Sequence, residues 1–545
     1  MKLSHLLSAF GAISLFFAGA VFAQSYAITN ARIITVSGAP VDKGTVVVRD
    51  GLIQAVGADA KVPADAQVFD GTGLTVYPGF FDTLTTLGLP TAAPAQRTPG
   101  SGGPQAAASP QANSNYPVGL RPEESAAGEL RAGEAQFESS RNHGFTTVVT
   151  VGRTGIFQGR SAIIDLAGES ASEMIVKTPF AEHVSFSTVG GGQYPGSLMG
   201  TFSSMRQMFL DAQRLQQIQR MYDANPRGIR RPEADASLEA LIPILDRRIP
   251  VVFNANREIE IIRALDFAKE FNLRAIIAGG QEAWKVADRL KAQDVPVLLS
   301  LNFPKRTAAA SADADADSMD LLRFRVETPK AAARLVQAGV KVAFQSGGLT
   351  NLGDYFTNAG KAVEGGLASD AAVRAMTLGA AEVLGIADRT GSIETGKIAN
   401  LAVVRGDLFS KERTVTHVFV DGKYFEQKPP AKQPTSAAPA APAPAFANVG
   451  GNFSITIEIP GQAVTGTLAL TQQAAVLTGT MQTQLGTSPV RDGRVTAEGF
   501  SFSSTAEYGG TTIEIVVKGT VTGNNISGTI DSPQGSVPFS GTRNP

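Results

Sequence analysis

The chain has 545 residues, of which 18% are charged and 43% hydrophobic, with a formal net charge of −1, four histidines and no cysteine. At roughly 100–200 residues per domain, that length predicts several domains and a large core. The near-neutral balance argues against nucleic acid as a partner, because such proteins carry a basic excess that neutralises phosphates. The lack of cysteine excludes disulfides, thiolate zinc sites, a cysteine nucleophile and a lipidated N-terminal cysteine.

Residues 1–23 read as a cleavable signal peptide: Lys2 precedes an uncharged apolar run from Leu6 to Phe22, and Ala23 closes the segment before Gln24. The alternative is an uncleaved anchor, since this run nearly reaches the length of a membrane span. No later stretch is long and apolar enough to cross a bilayer. The expected mature protein is therefore exported, periplasmic or secreted, without a stable membrane span, and keeps His143, His183 and His417.

Residues 24–77 alternate apolar and polar side chains in short strands, with Asp50-Gly51 between two of them, which predicts a hairpin in a small β-subdomain. A segment rich in Pro, Ala, Gly and Ser over 90–122 lacks periodicity and reads as a flexible insertion. From there to residue 395 helical and strand patterns alternate. GELRAGEAQFESSRNHG precedes FTTVVTV, REIEIIRALDFAKEFN precedes LRAIIAGG, and PKAAARLVQAG precedes VKVAFQSGG. Such alternation predicts βα units on a parallel sheet, and residues 78–395 have the size of an eight-stranded barrel with insertions. A helical insertion at 186–232, containing SSMRQMFLDAQRLQQIQRMYDA, is expected to overhang the barrel mouth. Residues 396–426 return to strands that complete the N-terminal subdomain. Residues 427–446 form a Pro/Ala-rich linker. Residues 447–545 repeat short Gly-Thr strands (TGTLAL, LTGTMQT, VKGTVTG, ISGTI, FSGTR), which predict a separate antiparallel barrel or sandwich.

The segments YAITNARIITV, VYPGFFDTLTTLG, HGFTTVV, RTGSIETGKIANLAVV and VFVDGK, in this order, resemble the metal-dependent amidohydrolase superfamily, in particular its imidazolonepropionase-like branch. The resemblance covers roughly residues 26–425. It implies a distorted (β/α)8 barrel with a composite β-sandwich built from both ends of the catalytic region, and hydrolysis of carbon–nitrogen, non-peptide bonds with zinc or other divalent metals. In that chemistry, imidazoles and carboxylates at strand ends hold a metal that acidifies its bound water.

The sequence departs from the family at the ligands. Where relatives read Pro-Gly-x-x-Asp-x-His-x-His, this chain has Pro78-Gly79-Phe80-Phe81-Asp82-Thr83-Leu84-Thr85-Thr86, with Leu84 and Thr86 at the histidine positions. The later strand end has Asn254 and Asn256, the next has Ala278-Gly279-Gly280, and the last-strand aspartate position falls on Gly347 after Ser346. Leucine and glycine offer no donor, and neutral amides and hydroxyls bind transition metals weakly. The resulting expectation is an amidohydrolase-like protein that holds no metal or other cofactor and is catalytically degenerate. Its polar pocket would be formed by Thr86, Asn254, Asn256 and Ser346 and take a small-molecule ligand. A weaker alternative makes Asp82 the general base of a surviving hydrolase. Glu258 and Gln345 could add hard oxygens for calcium or magnesium, but too few carboxylates converge. A third alternative gives the function to the C-terminal β domain as an adaptor, with homo- or hetero-oligomers both compatible. Asp313, Asp315 and Asp317 imitate the start of a calcium loop without its glycine and final glutamate, and read as a solvated loop.

Overall fold

A computed structural model describes residues 25–90, 116, 119–133, 135–152, 154–187, 194–305, 317–427, 447–459, 462–483, 486–496, 499–508, 511–532 and 535–544. The signal-peptide reading, almost all of the 90–122 and 427–446 segments, and Asp313 and Asp315 lie outside these residues. The chain divides into two compact units, residues 1–431 and 432–545. Among the described residues no helix is long and apolar enough to cross a membrane.

The first unit opens with strands β1 (Ser25–Ile33), β2 (Val41–Arg49), β3 (Leu52–Gly57), β4 (Gln67–Asp70) and β5 (Leu74–Pro78). The Asp50-Gly51 hairpin forms between β2 and β3, with both turn residues at positive φ (51° and 81°), as a two-residue primed turn requires. The chain then enters the barrel through β6 (Phe80–Thr85), β7 (Phe145–Thr150), β8 (Phe157–Arg160), β9 (Ala162–Asp165), β10 (Ile175–Lys177), β11 (Glu182–Ser185), β12 (Val251–Ala255), β13 (Ala275–Gly279), β14 (Val297–Ser300) and β15 (Val342–Gln345). β6 pairs parallel to β7, and β11 to β15 form a continuous parallel run. The eighth stave is irregular. β8 and β9 run antiparallel to β11 and β7 respectively, and so join the two parallel groups. This is the distortion of the expected (β/α)8 barrel.

The ring closes between β15 and β6 through side chains rather than a ladder. Thr83 Oγ1 donates to Phe344 O at 2.9 Å, and Tyr355 Oη, fully buried, donates to Phe81 O at 2.9 Å. Alternate residues face inward and outward. Phe81, Val149, Ile163, Val252, Ile276, Leu298 and Ala343 fill the interior, while Phe80, Val148, Phe253, Ile277, Leu299 and Phe344 pack beneath the outer helices.

The helix of the 186–232 segment, Leu198–Ala224, does not overhang the mouth. Its Met205, Met208, Phe209 and Ala212 are buried at helical spacing in the outer core, where the Phe209 ring lies 5.1–6.3 Å from Phe157, Phe267 and Phe271. With helix Ala236–Leu245 it forms the crossover between β11 and β12. An apolar stripe of that kind must be buried against a core, and the barrel's flank supplies one.

After the barrel, β16 (Leu401–Arg405), β17 (Thr414–Val420) and β18 (Lys423–Glu426) rejoin the N-terminal strands, with β16 antiparallel to β5. The composite unit is thus one hydrogen-bonded sheet of eight strands from both ends of the barrel region. Its tie to the barrel is polar and fully buried. Asn400 Nδ2 donates to both oxygens of Asp165 at 3.1 Å, Thr147 Oγ1 donates to the same carboxylate at 2.5 Å, and Asn400 Oδ1 accepts from Asp421 N at 2.7 Å. Burial pushes Asp165 up to about 6, although its hydrogen bonds pull the other way.

The second unit consists of β19 (Gly451–Ile459), β20 (Gln462–Gln473), β21 (Val476–Thr483), β22 (Gly486–Pro489), β23 (Arg491–Val495), β24 (Phe500–Tyr508), β25 (Thr511–Thr522), β26 (Asn525–Ser532) and β27 (Gly535–Arg543). Antiparallel pairing runs β20-β19-β27-β26-β25-β24-β23-β21 and closes through β20–β21, so of the two expected architectures the barrel forms. Phe453, Leu468, Leu477, Phe502, Val517 and Phe539 fill it. The Gly-Thr repeats mark its curvature. Gly528 and Gly541 share the inward-facing parity of Ile526, Ile530 and Phe539, and a Cβ there would fall 1.9 Å from Lys518 O and 2.2 Å from Ser454 O. Only glycine lets neighbouring strands approach this closely where a small barrel bends.

Asn400→Ala is expected to leave the Asp165 carboxylate without its amide donor and to cost about 2–3 kcal/mol in denaturant unfolding of the first unit. A change below about 0.5 kcal/mol contradicts the role assigned to this buried tie.

Candidate functional site

Five strand ends converge on one cavity of about 880 Å³. Asp82 comes from β6, which leads to Thr86; Asn254 lies on β12 and Asn256 just beyond it; Ala278-Gly279 end β13; Ser300 ends β14; and Gln345 ends β15, followed by Ser346-Gly347. The cavity thus brings together Asp82, Thr86, Asn254, Asn256 and Ser346, with Gln345 beside them. Glu258 is not part of this lining. It heads helix Glu258–Glu270 and pairs with Lys285 at 3.5 Å. Ser300 and Gln158 are among the lining residues that the sequence does not single out. Ser300 ends the strand in VPVLLSL, so the strand-end rule applied elsewhere would have found it. Gln158 lies on β8, whose FQGR segment is too short to register as a strand by periodicity.

Asp82 is only 3% exposed. Its Oδ1 accepts from Ser346 N at 2.9 Å and, weakly, from Leu84 N at 3.5 Å. Burial pushes the carboxyl up to about 6, and the hydrogen bonds from Ser346 only partly offset this. Asn254 Nδ2 donates to Gln158 Oε1 at 2.6 Å. Gln345 is committed to Leu298 O at 2.8 Å. Asp82 and His143, at the cavity's edge, are the only titratable side chains among the described lining residues, and none of them is a lysine or arginine.

The glycines at two family ligand positions carry the strongest geometric information. A Cβ on Gly279 would fall 2.4 Å from Asn256 Oδ1, and one on Gly347 would fall 2.1 Å from Ser300 Oγ; both residues have positive φ. The space that larger side chains would need at these positions is occupied by Asn256 and Ser300. Among the described residues no three His, Cys, Asp or Glu side chains converge as a metal-binding group. One carboxyl already engaged by backbone N–H groups, surrounded by amides and hydroxyls, does not fit the divalent metal that the fold family implies.

The remaining histidines lie elsewhere. His143 ends a helix and donates Nδ1–H to Ser139 O at 2.9 Å. His417 packs between the rings of Phe69 and Tyr424 in the composite sheet. His183 is neither at the surface nor fully satisfied. It is wholly buried on β11, and because Ser161 Oγ donates to Ala181 O, the His183 ring must donate to Ser161 through Nε2 at 2.9 Å. This leaves Nδ1 bare and without a partner, and burial pushes the ring's pKa down to about 3.

A second, open concavity of about 1050 Å³ lies on the C-terminal barrel and is lined by Ser454, Thr456, Thr465, Thr467, Ser527 and Thr542 among others. Among the described residues its lining has no charged or aromatic side chain.

Residues 317–424 match the Amidohydrolase family. Among solved structures, an amidohydrolase from Thermotoga maritima MSB8 aligns with a TM-score of 0.61 and 25% identity, covering 74% of this chain and 100% of its own. More distant are a Xaa-Pro dipeptidase with bound methionine (TM-score 0.44, 16% identity, 74% and 100% coverage) and the A. niger ochratoxinase (0.44, 14%, 74% and 96%). No curated protein matches the chain. The resemblance carried by the strand and loop motifs therefore holds: the family match lies within the first unit, and that unit is similar in fold to the Thermotoga maritima amidohydrolase.

Proposed function

We propose that this protein is an exported amidohydrolase relative whose barrel mouth binds a small polar molecule without a metal and without the family's hydrolytic reaction. The observation that carries this reading is the occupation of the space at Gly279 and Gly347 by Asn256 and Ser300. A ligand at either position would need Asn256 or Ser300 to rotate away and a side chain at positive φ, a conformation L residues rarely adopt, which supports this reading over a metal site that has merely lost its ion. Asn254, Gln158, Thr86 and Ser346 provide donors and acceptors suited to an uncharged polar ligand. Export rests on the pattern of residues 1–23. Elemental analysis of the purified full-length protein after dialysis is expected to find zinc, iron and manganese well below stoichiometric. About one tightly held ion per chain contradicts the proposal.

The buried carboxyl of Asp82 supports a second reading, a hydrolase of carbon–nitrogen bonds in which Asp82 is the general base. A group with a pKa near 6 in a cavity can both take and return a proton near neutrality. Turnover of cyclic amides or N-acyl amino acids that disappears in Asp82→Ala supports it, and no turnover with any added metal removes it. The hydroxyl-lined concavity of the C-terminal barrel supports a third reading, in which that domain is an adaptor. Deleting residues 447–545 then changes localisation or oligomeric state.

The state of Asp82 also has a stability signature. Its folded pKa lies above the unfolded value of about 3.9, so the group's contribution is fully present below pH 4 and is lost as pH rises through 6, up to about 3 kcal/mol in all. Asp82→Asn escapes this loss. Its stability relative to the parent is expected to rise by about 2–3 kcal/mol between pH 4 and pH 8 in urea unfolding, whereas a pH-independent difference contradicts the assignment.

A further inference from the structure

Beside the mouth lies a second groove of about 600 Å³, between helix Ala135–Asn142, the start of helix Gly353–Glu364 and the segment leading into β17. The two cavities adjoin, because Ser139, His143 and Asn351 line both. The groove is also lined by Arg413. Several arginines of this unit are paired, Arg325 with Asp317, Arg334 with Glu327 and Arg206 with Glu270, whereas Arg141, bonded to Leu166 O and lying over Phe425, has no ion pair among the described residues. Arg413 has no carboxylate within ion-pair distance among the described residues. Its hydrogen bonds are two long ones to carbonyls, Ser410 O at 3.3 Å and Gly353 O at 3.4 Å, which leave most of its five N–H groups uncommitted. The guanidinium is held flat, 4.1 Å from the centre of the Phe356 ring. Asp354, the acid in the groove's lining, is already engaged by Lys305 at 3.0 Å.

Lys411, exposed in the same lining, is the second cation of the groove. His143 uses Nδ1–H on Ser139 O, and burial together with Arg413 lowers its pKa, so it adds no charge near neutrality. Burial with no acid to offset it pulls Arg413 down to about 10. A partly desolvated guanidinium without a counter-charge is costly, and a planar, single negative charge matches its fork. The mouth cavity itself has no lysine or arginine.

We propose that Arg413, with Lys411 in the same lining, forms a binding subsite for the carboxylate of a small organic acid, in a groove that adjoins the barrel mouth. The subsite lies away from the strand ends, so it stands whether the mouth only binds or also hydrolyses. A matched pair of probes tests it on the full chain: N-acetylglycine and its uncharged counterpart N-acetylglycinamide, titrated calorimetrically at low ionic strength. The acid is expected to bind at least tenfold more tightly than the amide, with that preference shrinking to less than twofold in Arg413→Gln and only partly retained in Arg413→Lys. Equal affinities in the parent protein, no saturable binding of the acid in the millimolar range, or a preference that persists in a folded Arg413→Gln each overturn the proposal. The comparison in the parent protein decides the matter even if the glutamine variant does not fold.

Discussion

A buried carboxyl with no lysine or arginine among the described residues that line its cavity governs the electrostatics of the barrel mouth. Asp82 is nearly inaccessible, receives one good backbone hydrogen bond and meets no lysine, arginine or histidine that would stabilise its charge. In a site built around a divalent ion, the ion's charge holds such a carboxylate ionised. Here desolvation dominates and raises the group to about 6. Elsewhere in the cavity Asn254 donates to Gln158 and Gln345 to Leu298 O.

The same economy extends through the unit. The barrel has a layered apolar interior, outer helices and a composite sheet, a fold similar to that of the Thermotoga maritima amidohydrolase. Closure at β6 and β15 is achieved by Thr83 and Tyr355, and attachment of the sheet by Asn400 with Asp165. These polar ties sit at buried seams, where a satisfied hydrogen bond specifies one register and an unsatisfied one is expensive. The glycines at 279 and 347 leave the mouth close-packed, with Asn256 and Ser300 lying where a Cβ would stand.

Much of this architecture is legible in the sequence because it rests on local rules. Alternation in YAITNARIITV and the Asp50-Gly51 turn fix the first hairpin, and apolar runs after helical segments mark the parallel strands. The polar residues at strand ends could be placed at one mouth because a parallel barrel presents all its C-terminal ends on one face. What escaped depends on tertiary context. The antiparallel stave of β8 and β9 is short and lacks a periodic signature, so Gln158 was missed. The helix Leu198–Ala224 carries a narrow stripe that fits either a lid or a flank, and only the aromatic cluster around Phe209 decides between them. His183 reads as an ordinary strand residue until its neighbours are known, and the uncompensated Arg413 cannot be recognised without knowing which acids are near it.

The most direct test of the central claim is the titration of Asp82 itself, followed by the carboxyl carbon resonance in aspartate-labelled protein and assigned by its loss in Asp82→Asn. The account predicts a midpoint near pH 6 that does not move when zinc or manganese is added. A midpoint below the ordinary aspartate value of about 3.9, or one driven down by stoichiometric metal, contradicts it.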